Sequence, residues 1–134
     1  ALIAGMADRL KIPNDFRELA ELVCRYHLLC HRAGELRPAT LLQLLEKLDA
    51  FRRPERFAEF LLACEADMRG REGFEDRDYP QADLLKLVLK EAASVRPDTA
   101  SATSGAKIGR QLHTDRLSCI EALLARRKAN TGDQ

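Results

Sequence analysis

Glu65 and Asp67 are the first residues whose types and spacing suggest chemistry. They open the stretch Cys64-Glu-Ala-Asp-Met-Arg-Gly-Arg-Glu-Gly-Phe-Glu-Asp-Arg-Asp-Tyr-Pro-Gln81, the most polar part of the chain. Four carboxylates and two arginines fall there between Glu65 and Glu75, on either side of Gly70 and Gly73. Two carboxylates can act as general acid and base. Residues two apart on a helix, however, point to different faces. The glycines read as helix caps rather than a phosphate cradle, with Gly70 expected at φ > 0 as the residue that closes a helix. Both acids lie where a helix should end, a place the macrodipole reserves for cations such as Arg69 and Arg71. The stretch therefore predicts an internal ion-pair network of Glu65, Asp67, Arg69 and Arg71 that fixes a joint between helices.

A second candidate is His27 with His31, one helical turn apart, with Cys24 and Cys30 nearby. Histidines at i and i+4 can ligate one metal. The plainer reading makes His27 a core-edge residue and His31 a cation suited to a helix C-terminus. Asp49 is a third: a carboxylate closing an apolar run is costly unless paired, and Arg52 or Arg53 is at hand to pair it. Cys24, Cys30, Cys64 and Cys119 lack CxxC spacing, which argues against a zinc ribbon. Each falls on or beside an apolar stripe as a small hydrophobe, and reduced thiols in a cytoplasmic protein are expected.

Helices must position these groups. The 134 residues are 46% hydrophobic but only 5% aromatic, with no Trp, so Leu and Ala carry the core. Ala1 to Leu10 reads as the end of a helix closed at Lys11-Ile12-Pro13. Asn14 then caps a helix whose inward stripe is Phe16, Leu19, Ala20, Val23, Tyr26, His27 and Cys30. Pro38, Pro54 and Pro80 each open a further helix at N1. The helix Thr40 to Asp49 is the most apolar, and Phe57, Phe60, Leu61, Cys64 and Met68 line the next. Asp98 to Gly105 is small and polar, a linker by composition. Ser104 caps a last helix with Ile108, Leu112, Leu117, Ile120, Leu123 and Leu124 on one side, fraying from Asn130. No apolar run is long enough to span a bilayer, and no signal peptide opens the sequence. The start at Ala1, inside a helical pattern, reads as a piece of a longer protein.

The net charge of +1 conceals an asymmetry. Residues 104–134 hold six Lys or Arg and three acids, whereas the rest holds 16 basic and 18 acidic groups. A basic terminal helix on a near-neutral body suits a polyanion.

The strings from Leu36-Arg-Pro-Ala-Thr to Ala50-Phe-Arg-Arg-Pro-Glu-Arg-Phe57, Cys64-Glu-Ala-Asp-Met-Arg-Gly-Arg-Glu-Gly-Phe-Glu75 and Asp78-Tyr-Pro-Gln81 carry a resemblance. Together with Arg9-Leu-Lys-Ile-Pro-Asn14, Arg17-Glu-Leu-Ala20 and Gly105-Ala-Lys-Ile-Gly109 through Arg116, they resemble the C-terminal part of the bacterial multifunctional CCA-adding enzymes, which are tRNA nucleotidyltransferases. The likeness runs from about Ala7 to Arg127, and the Glu-Ala-Asp-x-Arg-Gly-Arg and Asp-Ala-x-Arg-x-Pro strings are its specific parts. It implies an all-α fold of about six helices. Residues 1–53 would be the end of an HD-type phosphohydrolase domain, and residues 54–134 a helical body and tail that bind tRNA.

The resemblance implies a longer protein that adds or repairs the 3′-terminal CCA of tRNA with CTP, ATP and Mg²⁺. Its Asp-x-Asp pair and nucleotide-selecting residues would lie before Ala1, so no residue of this chain is assigned to nucleotidyl transfer. It also implies a phosphohydrolase acting on 2′,3′-cyclic phosphates with Ni²⁺ or another divalent metal. His27, His31 and Asp49 would be late contributors to that metal pocket, or to the residues that surround its ligands. Lys107, Arg110, Arg116, Arg126 and Arg127 are the candidates for gripping the acceptor arm and elbow of tRNA, against the plainer reading of a solvated helix face. Contact of Arg69 or Arg71 with tRNA is secondary, and a homodimer is left open. Three other readings compete. One is an independent phosphohydrolase module, for which the three residues do not suffice. Another is a helical interaction domain, favoured by near-neutral charge and few aromatics. The third is a fragment of a related poly(A) polymerase.

Overall fold

The computed structural model describes residues 14–97 and 104–132. The expected helix at Ala1–Leu10, most of the linker and the last two residues lie outside them. Within them the chain is all-α: α1 (Asn14–His31), a 3₁₀ turn (Ala33–Glu35), α2 (Pro38–Lys47), α3 (Pro54–Arg69), α4 (Pro80–Ala93) and α5 (Gly105–Gly132). None of these helices is long and apolar enough to cross a membrane.

The three prolines sit where their missing N–H costs nothing, in the first turns of α2, α3 and α4. Ser104 Oγ accepts the N–H of Lys107 at 3.2 Å and caps α5, whose helix includes Asn130 to Gly132. The core is a single cluster drawing on both sides of Arg53. Leu41, Leu42, Leu44, Leu45 and Leu48 meet Phe57, Phe60, Leu61 and Cys64 of α3, with Leu85 and Val88 of α4 and Ile120 of α5. α1 packs on α3, and α5 lies across α2 and α4.

Two ends differ from the sequence reading. Phe16, expected inward, is 66% exposed. It sits in the first turn of α1, before the helix is clamped to α3 by Glu18, which reaches Arg53 at 3.3 Å and Arg56 at 3.5 Å. Gly70 does not take a left-handed conformation: its φ is −71°, its N–H bonds to Ala66 O, and the chain turns on through Arg71. The positive φ falls instead at Gly73, at 86°, inside the connector.

A third end has a left-handed residue that sequence patterns did not flag. Asp49 has φ 54° and closes α2. Its N–H reaches Glu46 O and that of Ala50 reaches Leu45 O, both at 3.0 Å, which is the Schellman pattern with aspartate where glycine is usual. An L-residue costs about 1 kcal/mol there. The pair with Arg52, at 3.8 Å on a side chain 84% exposed, offsets little of this. Asp49→Gly should therefore raise stability by about 0.5–1 kcal/mol in chemical denaturation. A destabilised variant would mean that the carboxylate holds the corner.

Candidate functional site

The polar corner is built where α1 ends against the end of α3 and the start of α4. His31 is the last residue of α1. Its Nδ1 lies 2.7 Å from the Tyr79 hydroxyl and its Nε2 2.8 Å from Asp67 Oδ2, with the imidazole side chain only 6% exposed. A carboxylate only accepts, so Nε2 donates to Asp67. Protonated His31 donates also to the Tyr79 oxygen, whose hydroxyl then donates to Cys30 Sγ at 3.3 Å. In neutral His31, Nδ1 becomes an acceptor for the same hydroxyl. Gln81 Nε2 donates to the His31 carbonyl at 2.8 Å, filling one of the acceptors a helix end leaves open. Three helices thus converge on one imidazole.

Electrostatics follow this geometry. The His31 hydrogen bond holds the Asp67 carboxyl below its ordinary 3.8, helped by His27, His31 and Arg71 and opposed by burial. Burial first, then the bond to Cys30, pushes the Tyr79 phenol up. Beneath it Cys30 and Cys64 are both fully buried free thiols, and Cys64 is pushed up by its hydrogen bond with Cys30 and by burial. Tyr79 is a neutral donor throughout the ordinary pH range.

The predicted four-member network is two separate pairs at the surface. Arg69 reaches Glu65 at 3.2 Å and Arg71 reaches Asp67 at 3.8 Å, both i,i+4, with side chains 28–51% exposed. Arg69 also donates to Arg77 O, tying the connector back to α3. The strong link from Asp67 runs to His31, which the sequence did not associate with it.

His27, His31 and Asp49 do not come together as a three-ligand set. Among the described residues no three His, Cys, Asp or Glu side chains are grouped to hold a metal ion. The His27 and His31 rings meet edge to face with centroids 5.7 Å apart. His27 Nδ1 bonds to Val23 O at 2.8 Å, which leaves Nε2 as the open ring nitrogen of the pair. Asp49 faces Arg52 at the far end of α2.

On α5, Lys107, Arg110, Arg126, Arg127 and Lys128 are exposed. Arg110 and Lys128 lie on one line of the helix five turns apart, about 27 Å. Arg127 borders a cleft with Gln81 and Leu84. Arg116 differs from the rest. Its guanidinium lies 3.8 Å from the centre of the Phe51 ring, and loss of water pulls its pKa down against the opposing pull of Glu46. It fastens α5 to the α2–α3 corner by a cation–π contact. The sequence carried a signal for this: Arg116 is four residues from both Leu112 and Ile120, inside the apolar stripe.

No protein-family model matches the chain. No solved structure matches it. Among curated proteins it is similar to the "Multifunctional CCA protein" of Nitrosococcus oceani, at 50% identity over 123 residues, 90% of this chain and 30% of that protein. It is 52% identical over 126 residues to the protein of that name from Thioalkalivibrio sulfidiphilus, covering 92% of this chain and 31% of the relative. The protein of that name from Hahella chejuensis is 47% identical over 122 residues, or 90% and 29% of the two chains. The chain thus spans about 30% of the length of the curated relatives it matches, and corresponds to a C-terminal part of them.

Proposed function

We propose that this chain is the tRNA-gripping part of a CCA-adding tRNA nucleotidyltransferase, with residues 54–134 as body and tail and residues 1–53 as the end of an HD-type phosphohydrolase domain. The longer protein would add or repair the 3′-terminal CCA with CTP, ATP and Mg²⁺, in the cytoplasm, through residues outside this chain. Half-identity to proteins named for CCA supports the first part. The observation that carries the grip is the set of exposed cations at the two ends of α5, Lys107 and Arg110 near its start and Arg126, Arg127 and Lys128 near its end. Its cations stand on a helix anchored by Ile120 and Leu123, so they are held in place rather than tethered. A-form RNA is recognised through phosphates and 2′-OH groups, which such cations meet without reading sequence.

The candidates divide. Lys107, Arg110, Arg126 and Arg127 would contact phosphate, while Arg116 is committed to Phe51. With tRNA as ligand, Lys107→Ala plus Arg110→Ala should lower the slope of log K against log salt by about two, and Arg116→Ala should leave it unchanged. An unaltered slope in the double variant would remove α5 from the interface.

For a divalent metal such as Ni²⁺, the described residues alone do not fit a closed site. His31 has both nitrogens engaged, so its proposed role is to hold the corner. His27 through Nε2 and Asp49, which the fold does not bring together, remain proposed contributors, each to metal contacts that other residues of the longer protein would complete. The cost of aspartate at φ 54° supports Asp49, because strain persists where a side chain is needed. Asp49→Asn keeps the backbone preference of that position and removes the charge. Loss of 2′,3′-cyclic phosphate hydrolysis in the longer protein, with folding intact, is the result this reading requires.

A further inference from the structure

Apolar side chains stand on two sides of α1. Leu19, Leu22, Tyr26 and Cys30 pack inward on the core, where α1 meets α3. Phe16, Ala20, Cys24 and Leu28 recur every four residues and form a second stripe along the flank, about 18 Å long at the helical rise. Phe16 is 66% and Leu28 60% exposed, and the Cys24 thiol is free and exposed between them. Of the four large apolar side chains exposed among the described residues, Phe16, Leu28 and Leu29 are on α1 and only Leu62 is elsewhere. Exposed apolar surface is therefore concentrated on one helix. A helix that is apolar on its inner side and again along its flank is suited to being covered twice. His27, one residue before Leu28, borders the same flank with its Nε2 open.

We infer that this flank of α1 is the docking surface for the part of the longer protein that precedes this chain. The chain corresponds to a C-terminal part of its relatives and covers about 30% of their length, so most of a relative's sequence lies ahead of α1. That part joins the fold through the residues before Asn14, and Phe16 lies two residues beyond this junction. The counterpart it brings is an apolar surface that takes Phe16, Cys24 and Leu28 out of water. Because the two parts are one chain, docking is intramolecular, and a modest patch holds where it would fail between separate molecules. The Arg17–Glu21 pair, at 3.8 Å and partly exposed, lies at the solvent edge of the stripe. His27 borders the docked surface, so the residues its proposed metal contact lacks would come from the same preceding part. The docking itself rests on the length relation to the relatives and not on the metal reading.

Alkylation of Cys24 tests this, because the tryptic peptide 18–25 carries Cys24 alone. At micromolar protein concentration, iodoacetamide should label Cys24 of the 134-residue chain freely. In the longer protein the same thiol should react more slowly by about tenfold or more, with urea-unfolded samples giving the reference rate. Leu28→Asp should leave the melting temperature of the 134-residue chain unchanged. In the longer protein it should lower the melting temperature by several degrees and bring Cys24 labelling back toward the rate in the shorter chain. Circular dichroism checks folding, and Leu28→Ser serves where Leu28→Asp prevents it. Equal labelling rates in the two wild-type proteins overturn the proposal. So does slow labelling already in the 134-residue chain, which would put residues 1–13 or a second copy over the flank, or a Leu28→Asp that destabilises both proteins alike. Protection of Cys24 in the longer protein, together with unchanged 2′,3′-cyclic phosphate hydrolysis in His27→Ala, upholds the docking surface and removes the metal reading of His27.

Discussion

His31→Ala is expected to lower stability by about 2–3 kcal/mol and the melting temperature by roughly 10 °C. The variant removes the hydrogen bonds to Tyr79 and Asp67 together and empties the space of a ring 6% exposed. Tyr79, itself 5% exposed, keeps only the weak thiol acceptor Cys30. Tyr79→Phe loses the bond to His31 and the weak one to Cys30 but keeps the ring, and should cost about 1 kcal/mol. Asp67→Asn keeps an acceptor for Nε2 and should cost less than either. Urea denaturation of the three variants gives the order directly, and an Asp67→Asn as damaging as His31→Ala would place the weight on the carboxylate.

The same corner fixes a sign for pH. The Asp67 carboxyl is held below its ordinary 3.8, chiefly by the His31 hydrogen bond. A group with a depressed folded pKa contributes stability above its unfolded value and loses it as pH falls through the folded one. The gap between wild type and Asp67→Asn should be open above about pH 4 and close in stronger acid. Because Asp67 is 42% exposed, solvent screens the effect and the gap will be small.

The helices were legible because proline and apolar spacing are local signals. Pro38, Pro54 and Pro80 mark their starts, and the i, i+3, i+4 spacing of Phe57, Phe60 and Leu61 marks the buried side of α3. What was not legible depends on contacts distant in sequence. His31 meets Asp67 and Tyr79 across separations of 36 and 48 residues, and nothing near His31 indicates either. Local spacing therefore pairs Asp67 with its neighbouring arginines and His31 with a metal, whereas both nitrogens of His31 are engaged by Tyr79 and Asp67. Gly70 and Gly73 show the limit of local rules in another way. Both suited a left-handed turn, but the helix end and connector together needed it only once. On α5, charge and position point different ways. Charge places Arg116 with the surface cations, but its spacing from Leu112 and Ile120 puts it against the body, over Phe51.

Ile120→Ala should cost about 2–4 kcal/mol, because it deletes a fully buried side chain where α5 meets the core. The other contacts holding α5 are Leu123, 6% exposed, the half-buried Leu117 and Leu124, the Arg116–Phe51 stack and a His113–Glu46 pair at 3.3 Å. The pair is half exposed and worth little, so anchorage rests mainly on apolar burial. Denaturation that shows less than about 1 kcal/mol lost would mean that α5 is held some other way. The consequence for tRNA is specific. Loosening α5 removes no cation, so affinity should fall while the salt slope stays near wild type. Lys107→Ala plus Arg110→Ala does the reverse: stability holds, because both side chains are exposed, and the slope drops. If Ile120→Ala lowered the slope too, the phosphate contacts would require a docked helix. If it changed neither slope nor affinity, the cations would act as a flexible charge cloud, and their fixed placement on α5 would have no part in recognition.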